Sequence, residues 1–268
     1  MFPQLHLVRQ RFPRPKMEDI PSEVIEQIKK LDLPGKLPPG ATVGLTAGSR
    51  GIGNIVCILK TTVDYLKSLQ FNPVIIAAMG SHGGGTAEGQ REILKSLGIH
   101  EESIGAPIWT GTEVVEVGTT PSGLKAFMNK HVFRTDGTIV VNRVKSHTAL
   151  TGELQSGLTK ACVVGLGGPE GAKQFHRLGT KELPKALREI GTLVIEKSPI
   201  IGGIAIIENG YEETAYLHAL LAKDFIQEEP ALLRKSQELM PKLPVEHLDV
   251  LVIEEMGKNF SGTGIDTN

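Results

Sequence analysis

Ala41-Thr42-Val43-Gly44-Leu45-Thr46-Ala47 runs straight into Gly48-Ser49-Arg50-Gly51-Ile52-Gly53, and Ile55 to Leu69 then carries apolar residues at helical spacing. An apolar run, a glycine turn and an amphipathic helix make one strand-loop-helix unit. The unit recurs. Pro73 to Met79 is a second apolar strand, Gly80-Ser81-His82-Gly83-Gly84-Gly85-Thr86 a second loop, and Ala87 to Leu97 a second helix, with Asn72-Pro73 and Gly98 as punctuation. Two such units in succession predict an α/β fold, a mostly parallel sheet with helices on both faces, Rossmann-like in outline. Both loops then lie at the carboxyl ends of their strands, where open α/β sheets place ligands.

Before these units, Pro21 to Leu31 reads as a helix, with Pro21 at its start and Glu23 in its first turn. After them, short strands are expected at Glu113 to Val117 and around Ala126 to Val132. Thr138 to Val144 is a clearer strand that delivers Lys145-Ser146-His147. Leu183 to Ile190 reads as helix, Ile200 to Ile207 as strand, and Ala219 to Met240 as one or two helices interrupted at Pro230. Pro241 and Pro244 mark a boundary, and Leu248 to Ile253 is expected to be a new buried strand, with Gly257, Gly262 and Gly264 after it. The expected division is an N-terminal domain over 1–244 that carries the candidate site, and over 245–268 the start of a second α/β domain, cut short.

The chain has 268 residues, 40% of them hydrophobic, enough for one large core. A formal net charge of −1 supplies no basic field, so nucleic acid and anionic membrane are not expected partners. Cys57 and Cys162, both in apolar surroundings, point to buried thiols in a reducing cytoplasm. No apolar run approaches the roughly 18 residues of a membrane span. Pro3, Pro13 and Pro15, with the charges around them, replace a signal-peptide core. Assembly into a homo-oligomer is compatible with the sequence.

Gly48 to Gly53 resembles the nucleotide-binding turn of short-chain dehydrogenases, where glycines bring backbone close to a pyrophosphate. Those enzymes also pair a tyrosine with a lysine four residues on. Here Tyr65 is followed at that spacing by Leu69, Tyr211 by Ala215 and Tyr216 by Leu220. Arg50 remains an anchor suited to a carboxylate or phosphate. His82 sits at a strand end beside Gly83, Gly84 and Gly85, a run whose ordering cost is offset when backbone closes on a ligand. It is a candidate acid or base. His147 follows a strand and so reaches the same sheet edge. Lys160, between Ser156-Gly157-Leu158-Thr159 and Ala161-Cys162-Val163-Val164-Gly165, lies where apolar surroundings depress an amine's pKa. His176 follows in Gln174-Phe175-His176-Arg177. Each also has an ordinary explanation: a surface-loop histidine, a strand-end histidine bonded to its loop, a solvated lysine, a polar helix face.

Taken together, Arg50, His82, His147, Lys160 and His176 resemble the lactate racemase family, whose members use a nickel-pincer nucleotide. His82 lies 32 positions after Arg50 and His176 lies 16 after Lys160. The resemblance implies that Lys160 carries the cofactor covalently through a thioamide and that His176 ligates nickel. It implies that His82 and His147 are acid/base catalysts on opposite faces of a 2-hydroxy acid. Arg50, Gly83, Gly84 and Ser156 would contact cofactor or substrate. The implied reaction is racemisation or epimerisation, with hydride passing to the cofactor and back and the histidines moving the hydroxyl proton. Proteins that synthesise the cofactor are the implied partners.

The pattern departs from lactate racemases proper between His147 and Lys160, where the segment is longer, so a substrate other than lactate is expected. Family members are also longer. Lys258 is the one candidate for a residue of their second domain, and the chain as given is expected to show little turnover by itself. Glu153 and Gln155 add polarity without an assigned role. Two other functions stay open, a nicotinamide-dependent oxidoreductase using Gly48 to Gly53 and a non-catalytic cofactor or ligand carrier.

Overall fold

Thr42–Ala47 (β1) runs through the middle of a six-stranded sheet in this computed structural model, which describes residues 6–257 and 264–265. One helix precedes it, Ile20–Lys29 (α1), whose entry is fixed by Asp19: its side chain accepts the Ser22 N–H at 3.0 Å. From β1 the chain passes through α2 (Ile55–Ser68) to β2 (Asn72–Ala77), then through α3 (Ala87–Ser96) and the single turn α4 (Glu101–Ile104) to β3 (Ile108–Trp109). These strands add in parallel, outward from β1. An antiparallel hairpin, β4 (Val114–Thr119) and β5 (Lys125–Asn129), stands apart as a two-stranded sheet.

The chain then returns to the other side of β1. β6 (Gly137–Arg143) pairs with β1 in parallel, and a helical stretch follows it: α5 (Leu158–Lys160), a wide π turn over Ala161–Gly165, α6 (Gly168–His176) and α7 (Leu183–Lys197). β7 (Ile200–Glu208) adds in parallel to β6. β8 (Thr214–Leu221) turns back antiparallel and leads to α8 (Phe225–Leu239). The sheet order is β3-β2-β1-β6-β7-β8. Winding reverses between β1 and β6, which makes the carboxyl ends of these two strands the switch point of the sheet.

Because strands of a covered parallel sheet bury both faces, β1, β2 and β6 are apolar nearly throughout. Alternate side chains feed two cores. Val43, Leu45, Ile75 and Ile139 face α1, α2 and Leu94 of α3, while Ile76, Val140, Ala205 and Ile207 face α5 to α8 and the hairpin. The expected mostly parallel α/β sheet with helices on both faces is the observed fold.

Three local expectations are corrected. Ala219 to Leu221 belongs to β8, because antiparallel pairing with Gly202 to Ile204 outweighs the helix-like pattern. Pro230 does not interrupt α8. It lies five residues after the start, is buried, and costs one intrahelical bond that packing offsets. Leu248 to Ile253 is neither strand nor buried: Val250 is 76% and Val252 86% exposed, and the segment pairs with no described strand. A strand needs a partner to satisfy its backbone. Lys258 and Gly262 lie outside the described residues. Among the described residues no helix is long and apolar enough to cross a membrane.

Candidate functional site

Loops 48–54, 80–86 and 144–157 follow β1, β2 and β6, so the reversal of winding gathers them at one sheet edge. They touch. Ser49 Oγ hydrogen-bonds His82 Nδ1, joining the first loop to the second. The Gly80 N–H donates to Gly165 O at 2.9 Å, which fastens the second loop to the π turn behind Lys160. A Cβ on Gly165 would lie 2.8 Å from Ala78 O, so only glycine permits this approach. His82 is exposed at the loop tip. Gly83, Gly84 and Gly85 all have φ near +65°, so the turn itself demands glycine; Gly83 also packs on Gly89 in α3, while Gly84 faces open space.

Lys160 closes α5, one residue before the π turn. Wide turns of this kind recur at functional sites. Burial lowers the Lys160 amine to about 8, and the nearby positive charge of Arg50 adds to the shift. His176, at the end of α6, is lowered by partial desolvation and by the Lys160 charge; Phe175 stands edge-on to its ring at 6.0 Å. Arg50, Lys160 and His176 therefore share one electrostatic neighbourhood, reached from three separate segments.

His147 is half-buried, and the Ala149 and Leu150 N–H groups donate to its Nδ1 at 3.1 and 3.0 Å. Nδ1 is thus an acceptor and the ring proton resides on Nε2. Gln155 accepts the His147 N–H at 2.7 Å, which gives this residue a role that its sequence position did not suggest. Glu153 pairs with Arg188 at 3.0 Å on the surface, away from the site. Lys145 and Ser156 form an antiparallel bridge, with Lys145 N–H to Ser156 O at 3.0 Å, and this closes the neck of the loop that carries His147. Ser156 thereby contributes backbone to the loop. The Asn142 amide donates to Gly157 O at 2.8 Å, tying β6 to the start of α5.

The first glycine loop is arranged differently from a dinucleotide turn. The Gly53 N–H donates to Glu208 Oε1 at 2.5 Å, and the other oxygen of Glu208 pairs with Arg143. A Cβ on Gly53 would lie 2.7 Å from Glu212 O. A carboxylate and a carbonyl occupy the ground where a pyrophosphate would have to approach, so Gly53 serves the contact with the turn between β7 and β8.

Four contributors escaped the sequence reading: Ser49, Glu208, Thr159 and Glu229. Glu229 left a trace, since it occupies the apolar stripe of α8 with Phe225, Leu232, Leu233 and Ser236. The Thr159 N–H and hydroxyl donate to its Oε2 at 2.9 and 2.8 Å. Burial raises the Glu229 carboxyl to about 7, against the opposing pull of Thr159 and the nearby Leu158 N–H. Burial, with Glu229 close by, pushes the Cys162 thiol up, so it is a packing residue and no thiolate. Among the described residues no group of three or more His, Cys, Asp or Glu side chains could hold a metal ion alone.

The histidines, the arginine and the depressed lysine gather at the switch point of a doubly wound α/β domain, where folds of this class place their ligands. The chain belongs to the lactate racemase family: the sequence model of the lactate racemase N-terminal domain matches residues 54–187. That span encloses His82, His147, Lys160 and His176 and begins just after Arg50. The fold is also similar to the lactate racemase apoprotein from Thermoanaerobacterium thermosaccharolyticum, with a TM-score of 0.55 and 11% identity. The alignment covers 81% of this chain and 55% of that one, so the chain spans about half the length of that relative. No curated protein matches it.

Proposed function

We propose that this chain carries a nickel-pincer nucleotide on Lys160 and serves the racemisation or epimerisation of a 2-hydroxy acid. The observation that supports this reading most directly is the lysine. With its amine lowered from 10.5 to about 8 by burial and the Arg50 charge, Lys160 is neutral far more often near neutral pH than an ordinary lysine. A neutral amine is the form that can be acylated.

The surrounding side chains suit the same reading. His176, with its pKa lowered, presents the neutral imidazole that ligates a transition metal. The described residues offer no cage for a bare ion, so the remaining donors would have to arrive with the cofactor. When bound, the cofactor supplies hydride acceptance and return. Arg50 offers a bidentate clamp for a carboxylate or phosphate. His147, whose Nδ1 is occupied by two backbone N–H groups, exchanges protons through Nε2. His82, oriented by Ser49, is the second base on the sheet edge. Each histidine takes or returns the hydroxyl proton, depending on which enantiomer is bound.

The nicotinamide-dependent alternative loses support from Glu208, which already holds the Gly53 N–H. A non-catalytic carrier would keep the lysine chemistry and show no isomerisation. Co-expression with cofactor-synthesis proteins, followed by intact-protein mass measurement of wild type and Lys160→Ala, tests the central point. A nickel-containing adduct on the wild type alone is expected; its absence from both overturns the proposal. A panel of single-enantiomer 2-hydroxy acids, followed by chiral chromatography, then separates enzyme from carrier.

A further inference from the structure

Thr159 precedes the lysine and is fully buried. Its N–H and hydroxyl both end on one oxygen, Oε2 of Glu229. Its methyl group presses on α7 at Gly191, where a Cβ would lie 2.7 Å from Thr159 Cγ2. On the other side, a Cβ on Gly157 would lie 1.8 Å from Glu229 Oε1. Two glycines thus make room for a threonine-carboxylate contact that joins α5, α7 and α8.

The carboxyl is an expensive choice for that place. Glu229 is 1% exposed, and its Oε1 makes no hydrogen bond. The stripe positions beside it are filled by Phe225, Leu232 and Leu233, and a leucine at 229 would bury no polar atom. A group that strains the core locally, and is accommodated by glycines on two other segments, calls for a reason beyond packing. The reason lies one residue away. Adjacent side chains on a helix diverge by about 100°: Thr159 turns into the α7–α8 interface, while Lys160 turns toward Arg50 and His176.

We infer that Glu229 is a positioning residue for Lys160, clamping Thr159 so that the α5 turn holds the lysine amine in its desolvated place beside Arg50 and His176. The inference rests on the reading of Lys160 as the cofactor-bearing lysine. Either protonation state of Glu229 leaves Oε2 able to accept from Thr159. The clamp therefore needs an acceptor oxygen at this point and no charge, and glutamine can replace it.

The test reads the lysine directly in the cofactor-free protein. Competitive acetylation across a pH series, quantified at Lys160 by mass spectrometry, gives the midpoint of its titration. Glu229→Leu is expected to move that midpoint upward by on the order of one pH unit as the turn loosens and water reaches the amine, whereas Glu229→Gln keeps it near the wild-type value. Thr159→Val removes the hydroxyl contact alone and serves if Glu229→Leu does not fold; it is expected to shift the midpoint in the same direction. An unchanged midpoint in a folded Glu229→Leu, or in Thr159→Val when the leucine variant does not fold, overturns the inference, as does a glutamine variant that behaves like leucine. Absence of an adduct on the wild type would count against the cofactor reading and leave this measurement standing.

Discussion

Ser49 and His82 are 33 residues apart and share a hydrogen bond from Oγ to Nδ1 across two strand-end loops. The bond ties Nδ1 to the first loop, and which of the two atoms donates depends on the ring's tautomer. Ser49→Ala removes it. With a net hydrogen-bond contribution of about 1 kcal/mol, the balance between His82 tautomers is expected to change about fivefold. Nitrogen-15 chemical shifts of the His82 imidazole check this; an unchanged tautomer ratio would show that Ser49 does not orient the ring.

Arg50 and Lys160 repel each other through like charge, and burial adds the larger part of the lysine's shift. Arg50→Met is therefore expected to raise the Lys160 midpoint, though by less than full solvation of the amine would. The same acetylation series measures it. A lower midpoint in the variant would contradict the electrostatics described for the site.

The Glu229 carboxyl titrates higher in the folded chain, about 7 against an ordinary 4.5. The native state then binds more protons than the unfolded state between these values. The stabilisation is complete below about pH 4.5 and is lost as pH rises to about 7, a total on the order of 3 kcal/mol. Urea denaturation of wild type at pH 5 and pH 8 should show that decline over any background trend. Glu229→Gln, which does not titrate, should show a flatter profile.

Arg143 and Glu208 form a largely buried pair whose carboxylate also holds the Gly53 N–H. Glu208→Ala leaves a partly buried guanidinium and a backbone donor unpaired and is expected to cost about 2 kcal/mol. A double-mutant cycle with Arg143→Met isolates the coupling between them. If the single and double variants unfolded at the wild-type urea midpoint, the pair would have no structural weight.

The strand-loop-helix units were legible because their pattern is local: Ala41 to Leu69 and Pro73 to Leu97 each announce an apolar strand, a glycine turn and a helix. β8 was not, because Ala219 to Leu221 is made a strand by a neighbour in space. Leu248 to Ile253 failed in the opposite way, having a strand's composition without a partner. In the site, His82, His147, Lys160 and His176 stood out by residue type and setting. Ser49, Glu208 and Glu229 did not, since their importance comes from contacts spanning 33, 155 and 70 residues. Only the apolar stripe of α8 hinted at Glu229.

The bridge between Lys145 and Ser156 has a bearing on how this domain diversifies. It works like a drawstring. Residues drawn out beyond it form a bight whose length can grow or shrink for little entropic cost, while the chain that re-enters at Gly157 is already anchored by Asn142 and, two residues on, by Glu229. Changes of length in the loop that carries His147 therefore leave the anchorage of Gly157 and Thr159, and with it the turn that bears Lys160, in place.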